Sequence, residues 1–364
     1  MSTAWTDADR GAMARAIELA WNGVNTTDPN PRVGCVLVRD GKVVGEGWHE
    51  RPGGPHAEAA ALSVAGAAAR GATAYVSLEP CNHFGRTPPC SEVLIAAGVA
   101  RVVYAIGDPN PQAVGGGVRL AAAGIRVESG LMAAEAEQLN PGFLRRNRGG
   151  LPWVRVKVAA SLDGRTALAS GESRWITSKV ARTDAQHGRA RSSVVLTGIG
   201  TILADDPAMN VRLNKVDRQP LRVVLDSQLR TPPDARLIDR EGKVLVIGAV
   251  DDAARRGALE RVGVEVAILP SRNGRLDLAA VLELLATGGA NEVWVEAGAT
   301  LAGAFVQQGL FDELVIYLAP ALLGPDARAL LTLPPLAALA QRLALRFTGC
   351  RAVGDDLCIT ATKA

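Results

Sequence analysis

Four residues in the first quarter of the chain have types and spacings that can do chemistry together: His56, Glu58, Cys81 and Cys90. One imidazole and two thiols are ligands that zinc accepts. Three protein ligands leave the fourth tetrahedral position open to water, as in a catalytic rather than a closed structural site. Zinc held there lowers the pKa of that water toward neutrality. Glu58, two residues past the histidine, is a carboxylate that could carry the water's proton to substrate and leaving group. This is the chemistry of hydrolytic deamination. The thiols have eight residues between them on Pro80-Cys81-Asn82-His83-Phe84-Gly85-Arg86-Thr87-Pro88-Pro89-Cys90, a loop stiffened by prolines. His49, at the end of an expected strand, reads as a surface or satisfied histidine. His83 shares the loop with both thiols and is a candidate substrate contact; neither is expected to bind the metal.

For these groups to meet, local structure has to deliver them. Residues two apart do not share a helix face. His56 and Glu58 therefore converge only if His56 stands at the irregular first turn of the Ala-rich helix that follows, with Glu58 just inside it. The Pro/Gly loop 51–55 brings the histidine there, and the helix ends near Arg70-Gly71. A strand over 73–78 feeds Cys81 into the site, and Cys90 opens a helix at 91–97. Two helix N-termini aimed at the metal would favour ionised thiols. Around this core the pattern predicts an amphipathic helix over 7–22, from Ala12, Ala16, Leu19 and Ala20. Strands at 35–38 and 43–48 flank the hairpin signal Asp40-Gly41. A strand at 102–106, a helix at 118–123, a strand at 125–128 and a helix at 132–139 complete the alternation. Gly115-Gly116-Gly117 lacks the strand, helix and spacing of a dinucleotide fingerprint, so it is read as a substrate-side loop.

A short basic run, Gly149-Gly150 and Pro152 mark a boundary near 145–152, giving domains of 1–147 and 148–364; the run itself reads as a solvated face. Beyond it, strands at 153–159, 193–197, 221–225, 243–247, 264–269, 292–295 and 313–318 alternate with helical stretches, which implies a mainly parallel sheet with helices on both faces. Residues 345–362, broken by Gly354-Asp355-Asp356, read as a closing antiparallel pair. The glycines of this half follow strands, at Thr197 to Pro207 and at Glu296 to Gly303, the second leading into a helix whose N–H groups could receive a pyrophosphate. Lys157 lies on the first strand, where periodicity alone allows an outward-facing lysine. Asp184 is expected to cap or pair structurally.

Composition narrows the classes. At 364 residues the chain is long enough for two cores. Its net charge of +3 suits phosphorylated small molecules and falls short of a nucleic-acid footprint, and no basic patch interleaved with aromatics is seen. No apolar run reaches membrane-spanning length, and the first twenty residues do not read as a signal peptide. The five scattered cysteines argue for a reducing cytosol over a disulfide framework, so a cytoplasmic location is expected. The sequence leaves oligomeric state open, a homo-oligomer included.

His-x-Glu followed by Pro-Cys and a second Cys resembles the zinc nucleoside and nucleobase deaminases, in which the glutamate is a proton shuttle. The eight-residue gap between the cysteines, where most of that superfamily has two, resembles the deaminase domain of the RibD family, bifunctional deaminase/reductases of riboflavin biosynthesis. In the second half, Lys157-Val158-Ala159-Ala160-Ser161-Leu162-Asp163-Gly164-Arg165, Trp175-Ile176-Thr177 and Ala204-Asp205-Asp206-Pro207 resemble that family's reductase. The resemblance implies a cytidine-deaminase-like three-layer domain followed by a dihydrofolate-reductase-like α/β domain, one zinc ion, and NADPH. It implies that Ala159, Trp175, Thr201, Asp205, Ser227 and Gly298, Ala299, Thr300, Leu301, Ala302, Gly303 and Ala304 line the NADPH site. Ser173, Arg189, Met209, Arg212 and Glu296 would touch the reductase substrate, Lys157 would be catalytic or substrate-orienting, and Asn30 and His83 would contact the pyrimidine. The guanidinium groups of Arg189 and Arg212 suit a ribose phosphate. The implied reactions are deamination of a diaminopyrimidinone ribosylamino phosphate and NADPH-dependent reduction of its ribosyl group to ribityl. The alternative is a single-activity zinc nucleobase or nucleoside salvage deaminase with an inactive reductase-like domain.

Overall fold

Thr6 sets the first turn: its hydroxyl accepts from the Asp9 N–H, and the Asp9 carboxylate accepts from the Thr6 N–H, a capping box that starts α1 (Asp7–Trp21). The structure, a computed structural model, describes residues 5–84, 88–214 and 216–364. Gly85, Arg86 and Thr87 of the cysteine-bearing loop lie outside the described residues. The chain divides into two units, Met1–Leu151 and Pro152–Ala364.

In the first unit, β1 (Gly34–Arg39), β2 (Lys42–Trp48), α2 (Ala57–Ala65), β3 (Thr73–Val76), α3 (Cys90–Ala97), β4 (Arg101–Tyr104), α4 (Gly116–Ala122), β5 (Arg126–Ser129), α5 (Ala133–Leu139) and α6 (Pro141–Gly149) follow α1 in order. The five strands form one sheet, β2-β1-β3-β4-β5, antiparallel around β1 and parallel from β3 to β5. Strand alternation sorts the core into two faces. Val36, Tyr75 and Val103 pack with Met13, Ile17, Leu139 and Phe143 on one side; Cys35, Leu37, Val76 and Val102 pack with Ala57, Ala61, Leu94 and Leu120 on the other. The result is the three-layer arrangement expected. Gly47 of β2 lets α2 settle on the sheet, since a Cβ there would lie 2.5 Å from the Ala61 backbone nitrogen. The helix α6 occupies part of the segment read from sequence as a boundary run. Pro141 begins it, Phe143 and Leu144 are buried, and Gly150, at φ 78°, ends it.

The second unit runs β6 (Trp153–Ser161), β7 (Arg165–Ala167), α7 (Lys179–Arg191), β8 (Val194–Gly198), α8 (Ile199–Asp205), β9 (Leu221–Leu225), β10 (Val244–Gly248), α9 (Ala253–Glu260), β11 (Glu265–Ile268), β12 (Ser271–Arg272), β13 (Arg275–Leu276), α10 (Leu278–Thr287), β14 (Glu292–Glu296), α11 (Ala299–Gln307), β15 (Glu313–Ala319), β16 (Arg328–Ala329), β17 (Leu345–Val353) and β18 (Asp356–Lys363). Nine strands make its sheet, in the order β11-β10-β9-β8-β14-β6-β15-β18-β17. Every pairing from β11 to β15 is parallel, and β18 and β17 close the sheet antiparallel, as the sequence predicts. The central strands are nearly continuous apolar runs, as burial on both faces requires. Exceptions include Arg155, buried on β6 and ion-paired with Glu292 of β14 and with Glu313, and Arg222, buried on β9. Among the described residues no helix is long and apolar enough to cross a membrane.

Candidate active sites

His56 is the N-cap of α2, with extended backbone (φ −73°, ψ 161°), and Glu58 is the second residue of that helix. The two side chains converge because the histidine stands outside the helical register. Cys81 comes from the loop after β3, and Cys90 is the first residue of α3. The Nδ1 of His56 lies 3.2 Å from the Cys90 Sγ and 3.5 Å from the Cys81 Sγ, and the Cys90 N–H donates to the Cys81 sulfur at 3.4 Å. The ligand atoms of the three residues all lie within 4.8 Å of one another. The hydrogen bond from the Cys90 thiol, aided by His56, holds Cys81 below the usual thiol range against the effect of burial. Cys90 is pushed up by that same bond and by burial. Glu58 is 3 % exposed, and burial lifts its carboxyl to about 7, with the Cys81 charge adding and His56 opposing. Two sulfurs, one imidazole nitrogen and a carboxyl poised to exchange a proton near neutrality fit a zinc ion and the proton traffic of hydrolysis.

A surrounding layer holds these groups. The Asn30 side-chain amide N–H donates to His49 Nε2 at 3.0 Å, and the His49 Nδ1–H donates to the Pro55 carbonyl at 2.9 Å. His49 is buried, and its ring meets the His56 ring edge-on at 5.3 Å. It is thus satisfied rather than ligating, and it ties Asn30 to the site. Glu79 was not singled out from sequence. Its buried carboxylate accepts from the backbone N–H groups of Asp108, Gly115 and Gly117 at 3.0–3.2 Å. The glycine run is therefore the entry to α4, drawn against the cysteine loop: a Cβ on Gly116 would lie 1.7 Å from the Pro80 carbonyl oxygen. A carboxylate directly before Pro-Cys was the only sequence signal for this. Burial raises Asp108 to about 6, and the His83 Nδ1 nearby is buried without a hydrogen-bond partner.

The second site is assembled from strand ends. Lys157 of β6 stands opposite Glu296 of β14, on the face of the sheet that α7 covers. Glu296 receives Arg189 of α7 on both oxygens, at 2.7 and 2.6 Å, and the Trp294 indole N–H at 2.6 Å. Burial raises its proton affinity, but Arg189, Lys157 and Trp294 together bring its pKa down to about 2. Burial lowers Lys157, Glu296 opposes and Arg189 assists; its Nζ lies 5.8 Å from the centre of the Tyr317 ring. Tyr317 is fixed in turn by donating to Asp184 at 2.6 Å, the structural pairing expected of Asp184.

The remaining expected residues fall into two groups. Thr201 and Asp205 lie on α8 and Ser227 just beyond β9, all partly exposed, while Trp175 is 69 % exposed with the Arg182 guanidinium 4.1 Å over its ring. Gly298 is the N-cap of α11, with no side-chain cap on the helix and open space where its Cβ would be. This uncapped N-terminus fits a dinucleotide pyrophosphate. Ala299, Thr300, Leu301 and Ala304 are at least partly exposed, whereas Ala302 and Gly303 are buried, a Cβ on Gly303 lying 2.3 Å from the Thr332 carbonyl oxygen. Ala159 and Ser173 are half-buried. Met209 is buried against Ala181, Ala185 and Trp294, at φ 52°.

A histidine and two cysteines gathered beside a buried carboxyl on a three-layer unit, joined to a unit with a mainly parallel sheet and a dinucleotide-type helix N-terminus, define a zinc deaminase fused to a reductase. Comparison with known proteins carries this further. Residues 6–106 match the cytidine and deoxycytidylate deaminase zinc-binding region, and residues 152–359 match the RibD C-terminal domain. The chain is 52% identical over 364 residues to riboflavin biosynthesis protein RibD of Escherichia coli (strain K12), covering 96% of this chain and 98% of that protein. Among solved structures, Acinetobacter baumannii RibD superposes with a TM-score of 0.92 at 45% identity, covering 98% of this chain and 99% of that one. The diaminohydroxyphosphoribosylaminopyrimidine deaminase/5-amino-6-(5-phosphoribosylamino)uracil reductase of Thermotoga maritima does so with a TM-score of 0.87 at 30% identity, with the same coverage. The chain belongs to the RibD family. It is a bifunctional enzyme of riboflavin biosynthesis, a zinc-dependent deaminase and an NADPH-dependent reductase. Matches that span both units do not favour the single-activity salvage deaminase.

Proposed function

We propose that residues 1–147 deaminate 2,5-diamino-6-(5-phosphoribosylamino)pyrimidin-4(3H)-one, and that residues 148–364 reduce the resulting 5-amino-6-(5-phosphoribosylamino)uracil to its ribityl counterpart, in line with the activities in the Thermotoga maritima relative's name. The observation that carries the reading is the convergence of His56, Cys81 and Cys90 beside the buried Glu58. Those three residues hold zinc, which when bound supplies a Lewis acid that makes water nucleophilic at neutral pH. Glu58 accepts one proton from the attacking water and returns it to the ring nitrogen, then takes the second from the hydroxyl added to the ring carbon and delivers it to the amino group that leaves as ammonia while the carbonyl forms. Asn30, held by His49, and His83 orient the pyrimidine.

In the second unit, NADPH when bound supplies the hydride that reaches C1 of the ribosyl group. The N-terminus of α11 receives its pyrophosphate, and Trp175, Thr201, Asp205, Ser227 and Ala159 line the rest. Lys157, whose pKa is depressed by burial, is the proton donor to the ring oxygen as the sugar opens. Glu296 holds the substrate's donors, with Arg189 fixing the carboxylate in place. Arg212 is the cation left for phosphate, and Ser173 and Met209 complete the wall. The location is cytoplasmic, where the thiols Cys81 and Cys90 stay reduced. A homo-oligomer formed through the exposed edge strand β17 belongs to the same reading, and light scattering measures it.

The test is mass spectrometry of the diaminopyrimidine substrate after incubation with zinc-loaded enzyme, with and without NADPH. The amino-to-oxo change is expected without cofactor, and a gain of two hydrogens only with it. Absence of the first change in protein that holds zinc defeats the deaminase reading; absence of the second defeats the reductase reading.

A further inference from the structure

Two cations stand side by side on β6, and their surroundings differ. Arg155 and Lys157, at alternate positions of the strand, share one face of the sheet. Arg155 has a carboxylate on each flanking strand, Glu292 of β14 and Glu313 of β15, and is ion-paired with both. Lys157 has Glu296 opposite on β14, but on β15 it meets Val315, with Tyr317 next along the same face of that strand. Glu296 is already taken by Arg189 and Trp294. Among the described residues the Lys157 ammonium makes no hydrogen bond and no ion pair. The Tyr317 ring, its centre 5.8 Å from the Nζ, stands where Arg155 has its second carboxylate. An ammonium at that distance is drawn to the negative face of the ring, the more so where water is excluded.

The ring is itself held. Tyr317 is 3 % exposed, and its hydroxyl donates to Asp184 of α7 at 2.6 Å; Arg351 of β17 donates to the same carboxylate oxygen at 2.6 Å. Burial works against ionisation of Asp184, but the bonds from Arg351 and Tyr317 outweigh it and keep the carboxylate charged. Burial, then the bond to Asp184, push the Tyr317 hydroxyl up, so its proton stays with that bond. Tyr317 is therefore a fixed surface and not a second acid. Lys157, by contrast, ends a flexible four-carbon stem with three rotatable donors. A general acid has to stand within hydrogen-bond reach of the atom it protonates, and no bond from the described residues holds this one there.

We propose that Tyr317 is the positioning residue for Lys157 in the reductase: its ring, braced by Asp184 and Arg351, keeps the ammonium charged and in place. The inference rests on the reading of Lys157 as the proton donor. The other charged groups that face or flank Lys157 are Glu296 of β14, Arg189 of α7 and Arg155 of β6 itself. Cys358 of β18, opposite Tyr317, is a thiol that burial pushes up. Changing Tyr317 leaves all of these residues in the chain, so a change in the titration of Lys157 reads the ring.

Tyr317→Leu removes the ring and keeps apolar bulk, whereas Tyr317→Phe keeps the ring and loses the bond to Asp184. Pentafluorophenylalanine in place of Tyr317 keeps the shape of a phenyl ring and removes the negative potential of its face, which repeats the test with the packing preserved. Reduction of 5-amino-6-(5-phosphoribosylamino)uracil by NADPH is followed at steady state as a function of pH, in each variant alone and combined with Lys157→Met. In the Leu and pentafluoro variants kcat should fall about tenfold, the worth of a desolvated cation–π contact, with both KM values within about twofold. The ring favours the charged amine, so without it Lys157 gives up its proton more readily. The limb on which kcat falls with rising pH should therefore move about one unit lower. Tyr317→Phe should keep that limb in place and lose about threefold at most. In the Lys157→Met background the ring variants should cost nothing further. A loss that repeats in full in that background, or that leaves the limb unmoved, would make Tyr317 a structural residue and overturn the proposal. Equal losses in the Phe and pentafluoro variants would assign the effect to the hydroxyl and overturn it as well. A kcat indifferent to Lys157→Met would defeat the donor reading itself, and the positioning role with it.

Discussion

The two sites balance charge in opposite ways. In the first unit a thiolate, a thiol and an imidazole crowd within 4.8 Å of one another beside a carboxyl whose proton affinity burial has raised. Two sulfurs and an imidazole nitrogen offer the lone pairs that a divalent cation takes up. In the second unit the buried carboxylate is already neutralised: Glu296 is held by Arg189 and Trp294, and the groups left over are the cations Lys157 and Arg212. On the proposed function, that site is completed by anions, the phosphate-bearing substrate and cofactor. One chain therefore carries a site that awaits a metal and a site that awaits phosphates, and each should fail in its own way when its leading residue is changed.

The largest effect is expected at Glu58. Glu58→Gln keeps the ligands and removes the proton carrier, so deamination should fall by about a thousandfold. Zinc content by atomic absorption should be unchanged, as should reduction of supplied 5-amino-6-(5-phosphoribosylamino)uracil. Loss of zinc along with activity would make Glu58 a structural support of the site. A parallel loss of reductase activity would mean the two sites are not independent, and the contrast drawn above would fail.

The matching change in the second unit is Lys157→Met, which keeps the apolar stem against Tyr317 and removes the charge. Reductase kcat should drop by about a hundredfold, the usual worth of one positioned acid, while ammonia release in the deaminase assay stays level. A variant that raised KM and left kcat alone would show that Lys157 binds substrate without donating a proton.

The first site was more legible in the sequence than the second, and for a physical reason. Metal ligation demands rare residue types at close spacing, so His56, Glu58, Cys81 and Cys90 stood out within one short stretch, and their convergence needed only the entry to α2 and the loop after β3. The groups of the second site come from β6, α7 and β14, and only the sheet brings them together. Lys157 by periodicity looked like an outward-facing strand residue. That Arg189 is committed to Glu296 follows from α7 packing on the face of Trp294, which no local pattern announces. Most strands of both units were readable from apolar runs between turn signals, whereas α6 was masked by its basic residues and by few buried positions, Phe143 and Leu144 among them. Glu79 and His49 were missed as organisers because their partners are backbone groups and a distant amide, which leave no trace in residue type.

The smallest expected effect lies at the rim of the second site. Asp163, in the turn after β6, accepts from the Ser161 hydroxyl and from the backbone N–H groups of Leu323 and Gly324, at 3.1 and 2.8 Å, pinning the chain that leaves β15. The Ser161 bond, then the two backbone bonds, outweigh desolvation and hold its carboxyl down at about 2, against about 3.9 in an unfolded chain. A depressed carboxylate contributes stability that is fully present above the unfolded value and is lost as pH falls through the folded one. Protection of the Leu323 and Gly324 amides from hydrogen exchange should therefore decline as pH drops from about 4 to about 2, beyond the intrinsic pH dependence of exchange. In Asp163→Asn that protection should be lower at neutral pH and flat across the same window. Because the group is exposed and screened by solvent, the change should stay local and leave global unfolding nearly untouched. Equal protection in the variant at neutral pH would show that the loop is held by its own backbone, and that the rim of the anion-completed site does not depend on this carboxylate.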